Sequence, residues 1–496
     1  MPAPLTDPRA ALIARYLERR RTISTPAEDA ILKRPGGSSV EASEEQRRIW
    51  LHCVMADCAE LYNEPFALKY AGNLNVPAFE RAFNEVVRRH EAWRTKFEMK
   101  GEKVFQTVTP ELHVHLDLID LRKLPNKLRE KRVVELLTED SMLKFDLGEI
   151  PLFRARLVRM ADRDFRFLLV AHHLIADGVS VYQIFVSELQ FYYAAFVENR
   201  EPVLPPLPFQ YPDYAEWQRK TFARREPQKH LDFWEQQLGG GLPIMNLPLN
   251  RPRSAVRKFD GGAESFRISK DITLALRNAA ETCQATLFMS VLAALHLLLY
   301  IYTGDRDQVV GSATSTRKQF GTENLLGLFI NTVVLRNKFS PEDSFLALIR
   351  RVRETTLEVL THDVPFDRLV RRFGSEDVPS ITPLFQVMFV LEPSTVMESD
   401  EWQILQPELD HAHPKSDLYL QIQENCDELI GRFTYCRDIF DAPNIERLNQ
   451  LWVEVLSTAA TNPNRTLEQI SSSLGKTEPR RISPLNWFRQ RLTRSA

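Results

Sequence analysis

The stretch VAHHLIADGVSV, Val170–Val181, places two adjacent histidines, His172 and His173, and then, after three intervening residues, Asp177 and Gly178. A histidine, with an unperturbed pKa of ~6.5, takes a proton from an amine or hydroxyl at neutral pH, or holds that nucleophile by a hydrogen bond. A carboxylate can orient such a ring or pair with an arginine, and a glycine amide at a helix start can hold an acyl oxygen. The spacing indicates acid–base chemistry on an acyl group. The alternative is that these residues only satisfy a turn, because Asp-Gly is common in turns.

Two kinds of periodicity place this stretch at a junction between a strand and a helix. The run FRFLLVAHH is apolar and bounded by turn residues, as a central strand should be. Successive side chains on a strand point to opposite faces, so one histidine can face a cavity while the other packs or braces. Apolar residues then recur at helical spacing, at Val181, Ile184, Phe185, Leu189 and Tyr192.

The rest of the chain mixes helical and strand periods in both halves. PAFERAFNEVVRRH has helical spacing, whereas FRARLVR alternates as a strand does and joins FRFLLVAHH through a hairpin at ADRD. In the second half, LFINTVVLR and PLFQVMFVL are typical of strands, and Thr286 is a suitable cap for a buried helix from Leu287 to Tyr302. The pattern predicts an α/β (α+β) fold.

The length of 496 residues exceeds the ~100–200 residues of a typical domain and favours two domains or lobes with a cleft between them. The proline-rich segment EPVLPPLPFQYP marks the boundary as a stiff connector. We therefore expect an N-terminal helix and tether at 1–42, an N-terminal lobe at 43–212, a C-terminal lobe at 213–480 and a tail at 481–496. The helix in TDPRAALIARYLERRRT either docks to a partner protein or packs on its own domain.

Composition argues against several classes of partner and site. The 64 Lys and Arg residues nearly balance 66 Asp and Glu residues, so neither a nucleic acid nor an anionic membrane is indicated. The five cysteines form no CxxC pair, no signal peptide is evident, and Ser290 and His296 interrupt the longest apolar run, which together favour a cytoplasmic protein. Neither LHVHLDL nor HAHP supplies a third ligand, and no GxSxG, HExxH, Walker or GxGxxG motif occurs, so no metal is expected.

HHLIADGVS resembles the HHxxxDG motif of nonribosomal peptide synthetase condensation domains, in the chloramphenicol-acetyltransferase-like superfamily that also includes free-standing acyltransferases. Further landmarks occur in the family's order over residues 43–475: SEEQRRIWL resembles SxAQxRLWxL, YNEPFALKYAGNL resembles YNxPxAxxLxGxL, RHEAWRTKF resembles RHExLRTxF, YPDYAEW resembles YxDYAxW, LPLNRPR resembles LPxDRPRP, GLFINTVVLR resembles GxFVNTLVLR, THDVPFDRLV resembles HQDxPFExLV, and PLFQVMF resembles the stretch after SRxP. The resemblance implies two similar lobes in a V, each a mixed sheet flanked by helices, with an active-site tunnel between them.

The resemblance also implies a role for each residue of the motif. His173 would position or deprotonate the acceptor nucleophile as it attacks the donor thioester, and His172 would brace it. The Gly178 amide would contact the acyl oxygen. Asp177 would be an architectural anion paired with an arginine. Two candidates for that arginine remain open: Arg89 of RRHE and Arg317 of STRKQF.

Three residues of the second half fall in stretches that line the tunnel in relatives, namely Ser312, Asn331 and Gln386. For each, an equally good interpretation is a side chain that satisfies backbone groups or an ordinary strand or turn residue. Two departures from the family pattern bear on substrate preference. Val179 follows the glycine where Trp is frequent, and Ile381 stands where an arginine is usual.

The function implied is that of a condensation enzyme, which joins a carrier-bound acyl or aminoacyl thioester to an acceptor amine or hydroxyl. Phosphopantetheine arms would arrive on donor and acceptor carrier proteins from opposite ends, so no resident cofactor is expected. The chain opens with Met1 and shows no carrier-protein serine motif or adenylation signature, which favours a stand-alone subunit working in trans, and we expect a monomer. The alternatives are a free-standing acyltransferase with a soluble alcohol or amine acceptor, and a catalytically silent recruitment module.

Overall fold

The computed structural model describes residues 30–35, 39–224, 228–254, 259–374, 382–392, 401–405, 414–425 and 427–475. The helix expected in residues 6–22, the tail at 481–496 and Ile381 lie outside these ranges. The described helices are α1 (Glu44–Ala56), α2 (Val76–Arg89), α3 (Asn126–Met142), α4 (Val186–Val197), α5 (Tyr211–Arg224), α6 (Gln228–Leu238), α7 (Lys270–Thr282), α8 (Leu287–Thr303), α9 (Phe345–Thr361), α10 (Phe366–Phe373), α11 (Ala442–Thr461) and α12 (Leu467–Ser473).

The described strands begin at Val40 and end at Cys436. They are β1 (Val40–Glu41), β2 (Asn63–Tyr70), β3 (Thr95–Lys100), β4 (Lys103–Val108), β5 (Leu118–Asp120), β6 (Phe153–Ala161), β7 (Asp164–His172), β8 (Gly261–Ile268), β9 (Asp307–Ser315), β10 (Ile330–Lys338), β11 (Val387–Glu392), β12 (Trp402–Leu405), β13 (Leu418–Asn425) and β14 (Glu428–Cys436). The strands predicted in FRARLVR, FRFLLVAHH, LFINTVVLR and PLFQVMFVL are confirmed in β6, β7, β10 and β11.

Local sequence explains where several helices begin and end. Ser43 caps α1 through a capping box, in which its side chain accepts a hydrogen bond from Gln46 N and the Gln46 side chain accepts one from Ser43 N. Thr286 caps α8, as predicted, and Gly304 ends that helix in the left-handed conformation, with φ of 80°. Helix α8 is thereby fixed as a core helix, buried along most of its length.

Most strands belong to two mixed sheets. In the first sheet the order is β12-β2-β7-β6-β5, so β7 is central, and it pairs antiparallel with β2 and β6. In the second sheet the order is β10-β9-β11-β13-β14-β8, with β11 parallel to both of its neighbours. A small third sheet has the order β1-β4-β3. Strand β12 comes from the second half of the chain yet extends the first sheet, where it pairs antiparallel with β2.

Buried apolar side chains form two separate cores, one for each lobe. The second core begins at Trp234 and includes most of α8. The two-lobed α/β fold predicted from the sequence is confirmed, but the boundary expected after Pro212 falls inside α5. Proline is tolerated in the first turn of a helix, so the last two residues of the proline-rich connector, Tyr211 and Pro212, are the first two of α5, and the connector does not end at the change of lobe. The first core also takes in Tyr214, Ala215 and more distant residues: Leu325, Leu326, Leu328, Phe329 and Trp402.

Among the residues that the structure describes, no single helix has the length and hydropathy needed to cross a membrane. The pair α7 and α8 reaches that threshold only when taken together, and the two helices are bent by 103°.

Candidate active site

The strand-to-helix junction predicted around the histidine pair is confirmed. Strand β7 ends at His172, and a π-helical turn, Ser180–Phe185, leads directly into α4. Asp177 starts this turn, because its Oδ1 accepts a hydrogen bond from Ser180 N at 2.7 Å. The Ser180 hydroxyl donates to Gly327 O at 2.9 Å, which ties the turn to a distant segment. The helix was predicted but its π-helical first turn was not; such turns are frequent at functional sites.

The two histidines have different surroundings. His172 is fully buried against the rings of Tyr62 and Phe145. Its Nδ1 accepts a hydrogen bond from Leu174 N at 3.2 Å, and burial lowers the pKa of His172 to about 3, so this ring is neutral near pH 7. His173 lies on the wall of a cavity, with 14% of its side chain exposed. The structure therefore places His172 as a packed residue and His173 as the residue that a substrate can reach.

Both nitrogens of the His173 ring have partners. Nδ1 donates a hydrogen bond to Ala176 O at 3.0 Å, because a carbonyl oxygen can only accept. Nε2 lies 2.8 Å from Oε1 of Glu64. Glu64 on β2 is directly opposite Ala171 on β7, so its side chain is on the same face of the sheet as that of His173, two residues further along.

Sequence reasoning missed Glu64, which stands in YNEPFALKYAGNL at a position that the motif YNxPxAxxLxGxL leaves unspecified. The sequence signal that could have found Glu64 is a carboxylate followed directly by the apolar run Pro65–Leu68. Lys415 Nζ contacts the same carboxylate oxygen, Oε1, at 2.6 Å. Burial acts to raise the pKa of Glu64, but Lys415 and His173 outweigh it and hold that pKa well below its usual range. Glu64 is therefore an ionised carboxylate that joins the two lobes through Lys415.

Asp177 is held by groups from the second half of the chain. Its Oδ1 accepts a hydrogen bond from Arg317 Nη2 at 2.9 Å, and its Oδ2 accepts one from Phe329 N at 2.9 Å. The Asp177 and Arg317 side chains are only 1% and 6% exposed. Arg317 is thus the partner of Asp177, and Arg89 is not, because Arg89 Nε donates instead to Glu188 at 2.9 Å.

A cavity of about 2020 Å³ includes the motif and is lined from both halves of the chain. Gly178 lies on its wall beside His173 and Asp177, and the second half contributes Glu392 and Lys415 among others. A pocket for one drug-sized ligand occupies about 300–1,000 Å³, so this cavity has room for two extended substrates.

The three tunnel candidates do not line this cavity. The Ser312 hydroxyl donates to Phe389 O at 2.7 Å, and the Gln386 side-chain oxygen accepts from Met245 N at 3.0 Å. Asn331 bonds the backbone at the start of α10, where its side-chain oxygen accepts from Phe366 N at 3.1 Å. All three side chains thus bond backbone groups, as the alternative interpretation predicts, and their assignment to the tunnel stays a prediction. Strand alternation instead exposes three neighbours of Ser312 and Asn331 on the cavity wall, Ala313, Ile330 and Thr332, and Phe385 reaches the wall from the segment before β11.

The described residues contain no group of three or more His, Cys, Asp or Glu side chains placed to hold a metal ion. His115 lies on the surface, where its Nδ1 is 2.9 Å from Glu80. His411 and His413 lie outside the described ranges.

Comparison with known proteins adds the family. The model of the condensation domain matches residues 38–479. The chain is 32% identical over 456 residues to the chondramide synthase cmdD of Chondromyces crocatus, covering 91% of this chain and 12% of the relative. It is 32% identical over 481 residues to phosphinothricin tripeptide synthetase PhsC of Streptomyces viridochromogenes, covering 95% of this chain and 44% of the relative. The chain thus spans less than half the length of these curated relatives.

Solved structures share the fold. The X-domain from teicoplanin biosynthesis matches with a TM-score of 0.75 and 26% identity, covering 89% of this chain and 99% of that one. The first condensation domain of the calcium-dependent antibiotic synthetase matches with a TM-score of 0.77 at 18% identity, covering 87% of this chain and 98% of that one, which shows the fold alone. Because the family model matches residues 38–479, a range that contains every described helix and strand, the chain belongs to the condensation domain family.

Proposed function

We propose that this chain condenses an acyl or aminoacyl thioester, carried on the phosphopantetheine arm of a carrier protein, with an amine or hydroxyl of an acceptor. The observation that carries the proposal is the His173 ring, which lies on the cavity wall while its Nδ1 proton is engaged by Ala176 O. In a neutral ring this arrangement leaves the lone pair on Nε2. Membership of the condensation domain family and similarity to peptide synthetases support the same reaction.

In this reaction the acceptor nitrogen or oxygen binds at His173 Nε2 and attacks the thioester carbonyl carbon, forming a C–N or C–O bond. The C–S bond breaks, and the thiol leaves with the proton that the nucleophile loses. The Gly178 amide holds the carbonyl oxygen while it carries negative charge. Asp177 and Arg317 fix the turn that carries both groups, and we regard them as positioning residues.

The proposal requires no metal or nucleotide, because a thioester is already activated towards attack. The phosphopantetheine arms of the donor carrier and, where the acceptor is also carrier-bound, of the acceptor carrier enter from opposite ends of the cavity. The acceptor is otherwise a free small molecule. We further propose that the chain acts as a monomer in the cytoplasm.

The test is product formation by the His173→Ala variant. Loss of a general base typically costs about 10²–10⁴-fold in rate. A panel of acyl-loaded carriers is offered to wild type and variant with amines and alcohols, and products are measured by mass spectrometry. His115→Ala is the matched control, because His115 is 76% exposed on the surface. Equal turnover by wild type and His173→Ala would show that His173 is not the residue that acts on the nucleophile.

Two other functions remain as outcomes of the same experiment. A free-standing acyltransferase would react well with a free acceptor when no acceptor carrier is present. A recruitment module would bind a partner and turn over no acyl donor; the teicoplanin X-domain, a structural neighbour at 26% identity, was solved in a complex with OxyB.

A further inference from the structure

The carboxylate of Glu64 occupies the place next to His173 where an acceptor nucleophile must bind. Its Oε1 lies 2.8 Å from His173 Nε2 and 2.6 Å from Lys415 Nζ, and 37% of its side chain is exposed to the cavity. Both contacts use the same oxygen. No described residue donates a hydrogen bond to Oε2. A donor that arrives through the cavity can therefore reach this carboxylate.

The hydrogen-bond partners of His173 define how many protons its ring carries while it contacts Glu64. Nδ1 of His173 already carries a proton, which it donates to Ala176 O. If Nε2 carried none, its lone pair would face an ionised carboxylate oxygen at 2.8 Å, which is repulsive. The arrangement without substrate is therefore that of an imidazolium donating to Glu64. An imidazolium cannot accept a proton, so this proton must leave Nε2 before His173 can act on a nucleophile.

The charge of the surroundings decides which acceptor allows that proton to leave. When His173 becomes neutral, Glu64 loses one of its two cationic partners. An acceptor that arrives as an ammonium ion replaces the lost positive charge and can donate one N–H to Glu64 and another to Nε2. A hydroxyl acceptor is neutral, so it leaves the partly buried carboxylate with one cation fewer, and the free energy of the site rises.

The second carboxyl nearby, Glu392, is unsuited to the same task. It is on the cavity wall at the end of β11. Burial, with the negative charge of Glu64, raises the pKa of Glu392, whereas the pKa of Glu64 is lowered. The opposite directions make Glu64 the anion that a cationic acceptor meets beside His173.

We propose that Glu64 is a specificity-determining residue, which makes the acceptor side of the cavity select a protonated amine over a hydroxyl. The inference rests on the proposed condensation function and narrows it to amide formation. In the balanced step, the ammonium binds to Glu64 Oε2 while the imidazolium of His173 releases its Nε2 proton to water, and the ammonium then gives one proton to the freed Nε2 lone pair. The neutral amine then attacks the thioester carbon, the C–N bond forms and the C–S bond breaks. A second proton passes from the nitrogen to the leaving thiolate, and His173 is left as the imidazolium with which the step began.

The test compares two acceptors that differ only at the reacting group, alanyl-pantetheine and lactyl-pantetheine, with the acyl-loaded carrier that gives the highest turnover in the screen. Wild type should prefer the amine. Glu64→Gln keeps the size of the side chain and removes its charge. We expect its KM for alanyl-pantetheine to rise about 10- to 100-fold, the range for a lost hydrogen bond to a charged group, with a smaller change for lactyl-pantetheine. Glu64→Asp should restore part of the amine preference.

The control is Glu424→Gln, which removes a carboxylate from another part of the cavity wall, where it pairs with Arg277. Its amine preference should match that of wild type. The inference is wrong if wild type uses both acceptors equally well, or if Glu64→Gln slows both by the same factor. A wild type that turns over no acceptor in the screen contradicts the proposed function itself, which is a separate outcome.

Discussion

At the scale of single residues, the site depends on contacts between distant segments of the chain, since Arg317 holds Asp177 and Glu64 contacts His173. The HHxxxDG spacing predicts only that His173, Gly178 and Asp177 lie together at one turn, as they do. The choice between Arg89 and Arg317 was not predictable, because it depends on which distant segment packs against the turn. Glu64 was missed for a related reason: its contact with His173 arises from strand pairing between β2 and β7, and pairing register is not visible in one sequence.

Replacing Arg317 tests how much its ion pair with Asp177 contributes to stability. The Arg317→Met variant should lose about 3–5 kcal/mol of unfolding free energy, because it leaves the Asp177 carboxylate buried without its cation. Urea unfolding measures this loss. Arg122→Met is the control, since Arg122 pairs with Asp120 at the exposed surface and should not change stability measurably. The pair is not what holds the turn if both variants unfold at the wild-type urea concentration.

At the scale of elements, hydrophobic periodicity predicted strand β7 and the helix that follows it, but not β2, the strand of Glu64. In the second half, Ser312 and Asn331 were expected in the tunnel by resemblance, whereas both are buried and residues next to them line the cavity. Which of two adjacent strand residues lines the cavity depends on which sheet face meets the other lobe. The π-helical turn at Ser180–Phe185 was unpredictable for a similar reason, because a π-turn and an α-turn bury nearly the same apolar spacing.

Helix α8 carries a prediction about pH. His296 is fully buried in this helix, where its Nδ1 donates to Gln308 and its Nε2 accepts from Asn337, so the ring is neutral. Burial lowers the pKa of His296 to about 4. Between about pH 6.5 and 4 the unfolded chain binds a proton that the folded chain does not, so the unfolding free energy falls as pH falls, by up to about 1.4 kcal/mol per pH unit.

The His296→Gln variant lacks this titration. Between pH 7 and pH 5 it should lose less unfolding free energy than wild type does, as measured by urea unfolding at each pH. His115→Gln, which changes an exposed histidine, should follow wild type. A His296→Gln curve parallel to that of wild type would mean that the buried ring does not couple folding to pH.

At the scale of the whole molecule, the sequence predicted two lobes but not how they are joined. The first core takes in Phe329 and Trp402 from the second half, and Arg317 holds the turn of the first. These contacts join segments more than one hundred residues apart, so no local sequence pattern predicts them. Each lobe thus has its own hydrophobic core, but segments from the second half of the chain complete the first lobe.

A fragment of residues 39–212 should therefore fail to fold alone. It lacks β12, the apolar residues at 325–329 and the cation that balances Asp177. We expect no cooperative urea transition and little dispersion in its amide NMR spectrum, whereas the full chain should show both. A fragment that unfolds cooperatively would show that the first lobe is an independent domain.

Strand β12 also affects how substrates enter the cavity and how the product leaves it. The chain runs from β11 in the second sheet to β12 in the first and returns to β13 in the second. Wide separation of the lobes on this side would strip the four residue pairs that β12 makes with β2. Reactants and product must then enter and leave through the ends of the cavity, along its length. The width of the cavity at its ends, more than the affinity of the cavity for the acyl group, would then decide which acyl groups reach His173.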